Sequence, residues 1–155
     1  MKQKKFLLDT CALTAVKQPN DKYHAQHISK LSALNSCDEV YASIVSLYEM
    51  EYGARHIRDE QPVLAKSMTL AIQSIQDDIS ILPLTITGAK IFAYIKERYR
   101  QITKLGKKAL IKHNVDLMVA ATALDNQAIL VSNDHKMFAT IKTFSTDFQW
   151  EDWTQ

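Results

Sequence analysis

Short apolar runs alternate with longer amphipathic stretches along this chain. Four runs have the length of a buried strand: FLLD (6–9), EVYAS (39–43), ISILPL (79–84) and AILVS (128–132). The closing segment FQWEDW could add a short edge strand. Strands that alternate with helices predict a parallel sheet covered by helices on both faces. We therefore expect an α/β fold, a three-layer α/β/α sandwich around a central parallel sheet of four to five strands.

The stretches between these runs show helical spacing of apolar residues. Pro62 suits the first turn of a helix, and AATAL contains small residues that would let its helix sit close to a sheet. The segment 105–112 is predicted to be a lysine-rich connection containing Gly106. The predicted helices are 21–35, 44–57, 62–76, 87–100, one starting at Asn114 or Val115, and one opening with NDHKMF.

Length and composition narrow the class of protein. A chain of 155 residues fits one domain, spanning 1–155, because two would each have a small core. Three glycines and three prolines argue against linkers and a turn-rich all-β fold. No run approaches the roughly 20 apolar residues of a membrane span. Cys11 and Cys37 form neither a metal spacing nor a disulfide framework. We expect a cytoplasmic protein without membrane association.

Positive charge is concentrated in one part of the chain. The formal net charge is only +2, but residues 85–115 carry eight lysines and arginines against a single acid, Glu97. A basic segment on an otherwise acidic body indicates a phosphate-binding edge. A solvated helix face is the alternative for the same pattern. The lysines expected at this edge are Lys104, Lys107, Lys108 and Lys112.

Four acids occupy positions where this topology would bring them together. Asp9 follows FLL and Asp134 follows AILVSN, so both should lie at the carboxyl edge of the sheet. Asp116 opens the helix that precedes the Asp134 strand. Glu49 lies one turn into the helix after EVYAS, three residues beyond Ser46. Although 125 residues separate the first acid from the last, all four can converge.

Each acid also has a plainer interpretation. Asp9 and Asp134 could cap helices. Asp116 could be an acid in the first turn of a helix, where the helix dipole stabilises its charge. Glu49 could be a solvated residue on a helix surface. Carboxylates gathered in one place, however, repel one another and favour a bound cation. Hard oxygen ligands select Mg²⁺ over zinc, with Mn²⁺ able to substitute. The pattern therefore predicts metal-assisted chemistry.

Other catalytic classes fit the residues less well. A haloacid-dehalogenase-type phosphatase needs a second aspartate two residues after Asp9, where Cys11 stands. A phosphoacceptor receiver domain needs paired acids after its first strand and a late lysine, and neither is visible. Cys11 lacks an evident histidine partner, and no glycine-rich phosphate loop is present. The five histidines are expected to be ordinary, with His113 and His135 merely flanking acids.

The ordered blocks of the chain resemble a known family. LLDTCAL, the S-x-x-E of residues 46–49 followed by Gly53, NVDLMVAATAL, LVSNDHKMF and the closing EDW look like the successive blocks of a PIN-domain protein. The short length and the tryptophan-bearing tail look closest to the VapC-type toxins of bacterial toxin–antitoxin pairs. The resemblance covers residues 6–153.

This resemblance implies a Mg²⁺-dependent endoribonuclease that cleaves RNA by metal-activated water and leaves 5′-phosphate and 3′-hydroxyl ends. It also implies a cognate antitoxin and a homodimer. A housekeeping RNA-processing nuclease of the same family, or a degenerate PIN domain that only binds, are the alternatives. The four lysines of the basic segment would then hold phosphates of single-stranded or looped RNA.

The resemblance also assigns residues. The family's acidic quartet falls on Asp9, Glu49, Asp116 and Asp134, and Asp9 and Asp116 are the best candidates for direct metal ligands. Two positions depart from the common pattern. Cys11 stands where many relatives carry asparagine. Val115 lies between Asn114 and Asp116, whereas many relatives have the asparagine directly before the acid. The polar residues expected to support the acids are Thr10, Ser46, Asn114, Ser132 and Asn133.

Overall fold

Five strands form one sheet in the computed structural model, which describes residues 2–155. Neighbouring strands are all parallel, in the order β3–β2–β1–β4–β5. The parallel α/β fold predicted from the sequence is confirmed, including the edge strand in the tail. The strands are β1 (Lys5–Leu8), β2 (Glu39–Ser43), β3 (Ser80–Leu82), β4 (Ile129–Val131) and β5 (Trp150–Glu151).

Eight helices within residues 2–155 connect and cover these strands. None of them is long and apolar enough to cross a bilayer. The helices are α1 (Thr10–Lys17), α2 (His24–Ser32), α3 (Ile44–Ile57), α4 (Pro62–Asp78), α5 (Ile86–Thr103), α6 (Lys107–Ile111), α7 (Asn114–Asp125) and α8 (His135–Phe144).

The central strand β1 shows why the sheet is covered on both faces. Side chains of a strand alternate between faces, and three consecutive apolar residues of β1 are buried. Phe6 and Leu8 pack with buried residues of α1, α3 and α4. Leu7, on the opposite face, packs with buried residues of α5, α6, α7 and α8. The result is the expected three-layer α/β/α arrangement.

The order of the strands creates a switch point between β1 and β4. From β1 the chain moves outward through β2 to β3, and it then returns to the other side of β1 to form β4 and β5. In open parallel sheets the crevice at the carboxyl ends of strands flanking such a reversal is the usual ligand site. Asp9 directly follows β1, and its backbone N–H still donates to Val131 O of β4 at 3.1 Å.

Local capping explains where the observed elements differ from the predicted ones. Helix α1 was not predicted; it begins because the Asp9 carboxylate accepts the N–H of Ala12 at 2.8 Å. Helix α6 lies inside the segment predicted to be a connection, and Gly106 is its N-cap. Helix α2 starts later than predicted because Asp21 accepts the N–H of Tyr23, which turns the chain first. Strand β3 ends before Pro83, which has no N–H to donate.

Candidate active site

Asp9 and Asp134 lie beyond the carboxyl ends of the adjacent strands β1 and β4. Each caps the helix that follows: Asp9 Oδ1 accepts from Ala12 N at 2.8 Å, and Asp134 Oδ1 accepts from Met137 N at 3.1 Å. The capping interpretation of both acids is therefore confirmed. It does not compete with a role in binding, because in each carboxylate these bonds involve only one of the two oxygens.

Asp116 joins them from the first turn of α7. Burial raises its pKa, and the negative charges of Asp9, Asp134 and Glu49 raise it further, to about 6. Charges of like sign at close quarters disfavour ionisation of one another. The four acids predicted from the sequence therefore act on one another electrostatically in the folded chain.

Asp9 is more enclosed than Asp116. Burial raises its pKa above the usual range for aspartate, although a hydrogen bond from the Ser132 side chain, the Ala12 N–H and the charge of His27 oppose the shift. Ser132 itself is buried, and its hydroxyl accepts the backbone N–H of Asp134 at 3.2 Å. Ser132 thus links the two aspartates that follow β1 and β4.

Glu49 is tied to the site through Thr10. The Thr10 hydroxyl lies 2.7 Å from Glu49 Oε1 and 3.1 Å from the hydroxyl of buried Ser46. These contacts connect the first turn of α1 with the first two turns of α3. Glu49 itself is exposed, so its carboxylate is held in place while it remains open to a ligand.

Asn114 supplies an unusual polar atom at the start of α7. Its Oδ1 is buried and has no hydrogen-bond partner within residues 2–155. Leaving a buried acceptor unpaired costs about 1–3 kcal/mol of folding free energy. This oxygen is therefore suited to coordinate a cation or to accept a hydrogen bond from a ligand. Two residues further along is Asp116, in the same first turn.

These donors suit a hard divalent cation. Carboxylate and carboxamide oxygens are the ligands that Mg²⁺ and Mn²⁺ prefer, and a cation would relieve the repulsion that raises the pKa of Asp116. Among residues 2–155, however, no three His, Cys, Asp or Glu side chains are arranged as a ready-made set of ligands. The acids interact through their charges without sharing one coordination point.

Two aromatic residues near the acids were not singled out by the sequence analysis. From the sequence, His113 is expected only to flank an acid, and Tyr99 is not predicted as a site residue. Burial raises the pKa of the Tyr99 hydroxyl, and the charges of Asp134 and Asp116 raise it further. The Tyr99 ring packs edge-on against His113, with centroids 5.6 Å apart.

A histidine–aspartate pair beside Asp134 was also missed. His135 Nε2 lies 2.6 Å from Asp152 Oδ2, in the tail that follows β5. Burial opposes ionisation of Asp152, but hydrogen bonds from Thr154 and His135 lower its pKa overall. The sequence signal was the acid of the EDW block, but its partner is brought near only by the pairing of β4 with β5.

The basic segment leads along the chain into α7, the helix that carries Asp116. Lys104 ends α5 in the left-handed conformation (φ 57°), and Lys107 and Lys108 begin α6. Lys112 caps the end of α6, four residues before Asp116. All four lysines are exposed, and no salt bridge within residues 2–155 involves them.

A parallel sheet with acids gathered at its β1–β4 switch point defines a class of α/β protein with an acidic site at the carboxyl edge of the sheet. The family model described as PIN domain matches residues 6–142. The chain therefore belongs to the PIN-domain family. A search of the curated proteins by sequence finds no match.

Solved structures show the same fold. VapBC-1 from nontypeable Haemophilus influenzae is 22% identical, with 97% of this chain and 99% of that chain covered and a TM-score of 0.72. VapBC2 from Rickettsia felis, bound to a DNA fragment from its promoter, is 16% identical, with 96% and 98% covered and a TM-score of 0.73. VapBC-5 from Mycobacterium tuberculosis, a member of the VapBC family of toxin–antitoxin systems, is 18% identical, with 96% of each chain covered and a TM-score of 0.62.

Proposed function

We propose that this chain is a Mg²⁺-dependent endoribonuclease. The observation that carries the proposal is the gathering of Asp9, Asp116 and Asp134 at the β1–β4 switch point. Burial raises the pKa of Asp116, and the charges of the other acids raise it further, to about 6. A titratable group perturbed by burial and by specific neighbours in a crevice marks a functional site. Membership of the PIN-domain family, whose members are nucleases, supports the same activity.

The acids would hold the cation with the help of Asn114. Asp9 and Asp116 are the residues we assign to direct ligation, and Asp134 and Glu49 complete the acidic set. The buried Oδ1 of Asn114 has no partner within residues 2–155 and would be satisfied by the cation or by a water of its shell. Because all of these donors are oxygens, Mn²⁺ should substitute for Mg²⁺.

When bound, the divalent cation supplies charge neutralisation at the scissile phosphate and activation of the attacking water. The residues of the chain orient the participants. Thr10 fixes Glu49 through its 2.7 Å hydrogen bond, and Ser132 fixes the loop that carries Asp134. Asn133, exposed beside Ser132, is available to the substrate. Attack by water needs no 2′-hydroxyl nucleophile, so the products carry 5′-phosphate and 3′-hydroxyl ends.

The basic segment would hold the RNA on either side of the cut. Lys104, Lys107, Lys108 and Lys112 are exposed and form no salt bridge within residues 2–155, so their charges are available to phosphates. Contacts to phosphates position a nucleic acid without reading its sequence. Single-stranded or looped RNA fits better than a duplex, since its phosphates and bases can both reach a crevice.

We further propose that the chain is the toxin of a type II toxin–antitoxin pair, with an antitoxin protein as its partner and a second copy as its dimer mate. The three VapBC structures of the same fold, which cover nearly the whole chain, support the toxin role. The face of α3 next to Glu49 supports a protein interface, because Tyr48 and Tyr52 are 74% and 69% exposed. Tyrosine is enriched at such interfaces.

The chemistry of the product ends tests the proposed reaction. Purified protein is incubated with RNA and Mg²⁺, and the new ends are examined by adaptor ligation with and without prior phosphatase or kinase treatment. We expect 5′ ends that ligate directly. Products ending in 2′,3′-cyclic phosphate would show attack by the 2′-hydroxyl and would contradict the proposal.

A further inference from the structure

A cavity of about 290 Å³ opens beside the acids, and its lining residues lie outside the basic segment. It shares Asp9, Thr10 and Ser132 with the candidate active site, and it extends from there to α2 and the tail. The volume is at the lower end of the range for small-molecule sites, about 300–1,000 Å³. A group seated in this cavity would therefore lie next to whatever the acids bind.

The inner wall of the cavity is aromatic and firmly held. Trp153 is 1% exposed, its indole N–H donates to Glu151 Oε2 at 2.8 Å, and its ring lies 5.5 Å from that of Phe6. His27 is 3% exposed, its Nδ1 lies 2.9 Å from the backbone oxygen of Tyr23, and its ring meets Trp153 edge-on. The half-buried Tyr23 ring belongs to the same lining. The wall is thus shaped before any ligand arrives.

The polar lining is rich in acceptors. Asp152 lines the cavity and is fixed there by His135 and by Thr154, whose N–H and hydroxyl lie 2.8 and 2.6 Å from its Oδ1. Asp21 is a further carboxylate of the lining, besides Asp9 and Asp152. The exposed carboxamide of Asn133 offers both donors and an acceptor. Lys22 adds a positive charge to the lining, with its ammonium 4.8 Å from the centroid of the Tyr23 ring.

We propose that this cavity binds the base of one nucleotide flanking the scissile phosphate and so selects where RNA is cut. The inference rests on the proposed ribonuclease function. Unpaired bases stack on aromatic side chains and are hydrogen-bonded on their edges. The carboxylates of Asp21 and Asp152 match the exocyclic amino groups of adenine, cytosine and guanine. Uracil lacks such a group and is disfavoured.

A comparison of cleavage sites tests the pocket. Wild type, Tyr23→Leu, Tyr23→Phe and the control Tyr94→Leu digest a pool of random-sequence RNA with Mg²⁺, and the cut ends are sequenced. The Tyr23 backbone makes the bonds to Asp21 and His27, so the leucine variant retains them; Tyr94 is an exposed tyrosine on α5. We expect wild type to avoid uracil at one position beside the cut.

Tyr23→Leu should flatten that preference and lower kcat/KM about tenfold or more, since stacking on an aromatic ring is lost. Tyr23→Phe and Tyr94→Leu should behave as wild type. If Tyr23→Leu is unfolded by circular dichroism, Asn133→Ala replaces it, because an exposed side chain is removed without disturbing the core. An unchanged site preference and unchanged kcat/KM in a folded variant would overturn the pocket.

A binding measurement without cleavage separates the pocket from the proposed function. In EDTA, the ¹⁵N–¹H resonance of the Trp153 indole is followed while adenosine, cytidine, guanosine or uridine is added. We expect shifts with the three amino-bearing nucleosides that Tyr23→Leu abolishes. If these shifts occur but no RNA is cut, the result contradicts the proposed ribonuclease function and supports the base-binding cavity.

If RNA is cut but no nucleoside shifts the resonance, the result contradicts the base-binding cavity and supports the proposed ribonuclease function. Arginine amide is titrated as well, because an acceptor-rich cavity could take a guanidinium group from a protein. A shift with arginine amide and none with nucleosides would overturn the proposal in favour of a protein segment.

Discussion

The Thr10 hydroxyl lies 2.7 Å from Glu49 Oε1, and this contact joins the turn after β1 to α3. The two residues are 39 positions apart, and both belong to the acidic site. A residue next to one candidate ligand therefore orients another. If Glu49 takes part in cleavage, its position depends on a hydroxyl that contributes no charge of its own.

Thr10→Val keeps the size of the side chain and removes this donor. We expect cleavage to fall by about 10- to 100-fold, because hydrogen bonds to charged groups contribute about 1.5–3 kcal/mol. Thr10→Ser should restore most of the rate. Thr140→Val is the matched control, since the Thr140 hydroxyl bonds only to the backbone of its own helix, at Lys136 O. Equal kcat in wild type and Thr10→Val would remove Thr10 from the site.

The stability of the metal-free protein should depend on pH through Asp116. Its folded-state pKa is about 6, against an ordinary value of 3.8. Below about pH 3 the carboxyl is largely protonated whether the chain is folded or unfolded, and no penalty arises. As pH rises through this interval the unfolded chain loses the proton first, so the free energy of unfolding falls and remains lower above about pH 6.

Asp116→Asn removes that loss. In EDTA near pH 7, we expect the variant to melt about 2–4 °C above wild type, which corresponds to about 1 kcal/mol after allowance for partial exposure. At about pH 3 the two should melt together, because Asp116 is then protonated in both the folded and the unfolded chain. Mg²⁺ should raise the melting temperature of wild type more than that of the variant. An equal difference at both pH values would show that the charge of Asp116 is not its cause.

Replacement of Lys107 and Lys108 with Gln should weaken RNA binding whatever the sequence. On a single strand, the slope of log affinity against log salt should fall by up to about 0.7 per lost contact. Lys2→Gln with Lys4→Gln is the matched control, since these exposed lysines precede β1 at the opposite edge of the sheet. Cleavage at saturating RNA should change much less. An unchanged slope would show that these lysines do not contact phosphates and belong to a solvated helix face.

The exposed aromatic pair of α3 is expected to support a homodimer. Light scattering of wild type should give twice the mass of the chain, and Tyr48→Ser with Tyr52→Ser should shift it toward the monomer. Val63→Ser removes an apolar side chain that is 84% exposed on α4 and serves as the control. A monomeric wild type would contradict the proposed homodimer.

The sequence predicted the elements whose signals are local. FLL and AILV are apolar runs of strand length, and the acids after them are read directly from the chain. Helix α1 was missed because TCALTAVK contains three β-branched residues and follows the strand at once. Its start depends on Asp9, which the sequence offered as a possible cap without an amphipathic pattern after it to indicate the helix. Helix α6 is a single short turn after a glycine, with no periodic stripe to reveal it.

Contacts between distant residues could not be predicted in the same way. The His135–Asp152 pair requires β5 to lie beside β4, and a two-residue strand carries almost no register information. The unpartnered oxygen of Asn114 depends on how α7 packs. The sequence allowed Asp9 and Asp134 to be helix caps, but it could not show that each cap uses a single carboxylate oxygen while both acids still raise the pKa of Asp116.

The central claim is that the acids cleave RNA through a divalent cation, and the direct measurement is cleavage of RNA by wild type, Asp9→Asn and Asp116→Asn with Mg²⁺, Mn²⁺ or excess EDTA. Each change preserves the size of the side chain and removes one negative charge. Circular dichroism is used to check that both variants are folded. We predict cleavage by wild type with either metal, none in EDTA, and losses of about 100-fold or more in both variants, since the cation contributes several kcal/mol to the transition state. Undiminished cleavage in EDTA, or near-normal cleavage by folded Asp116→Asn, would contradict the account.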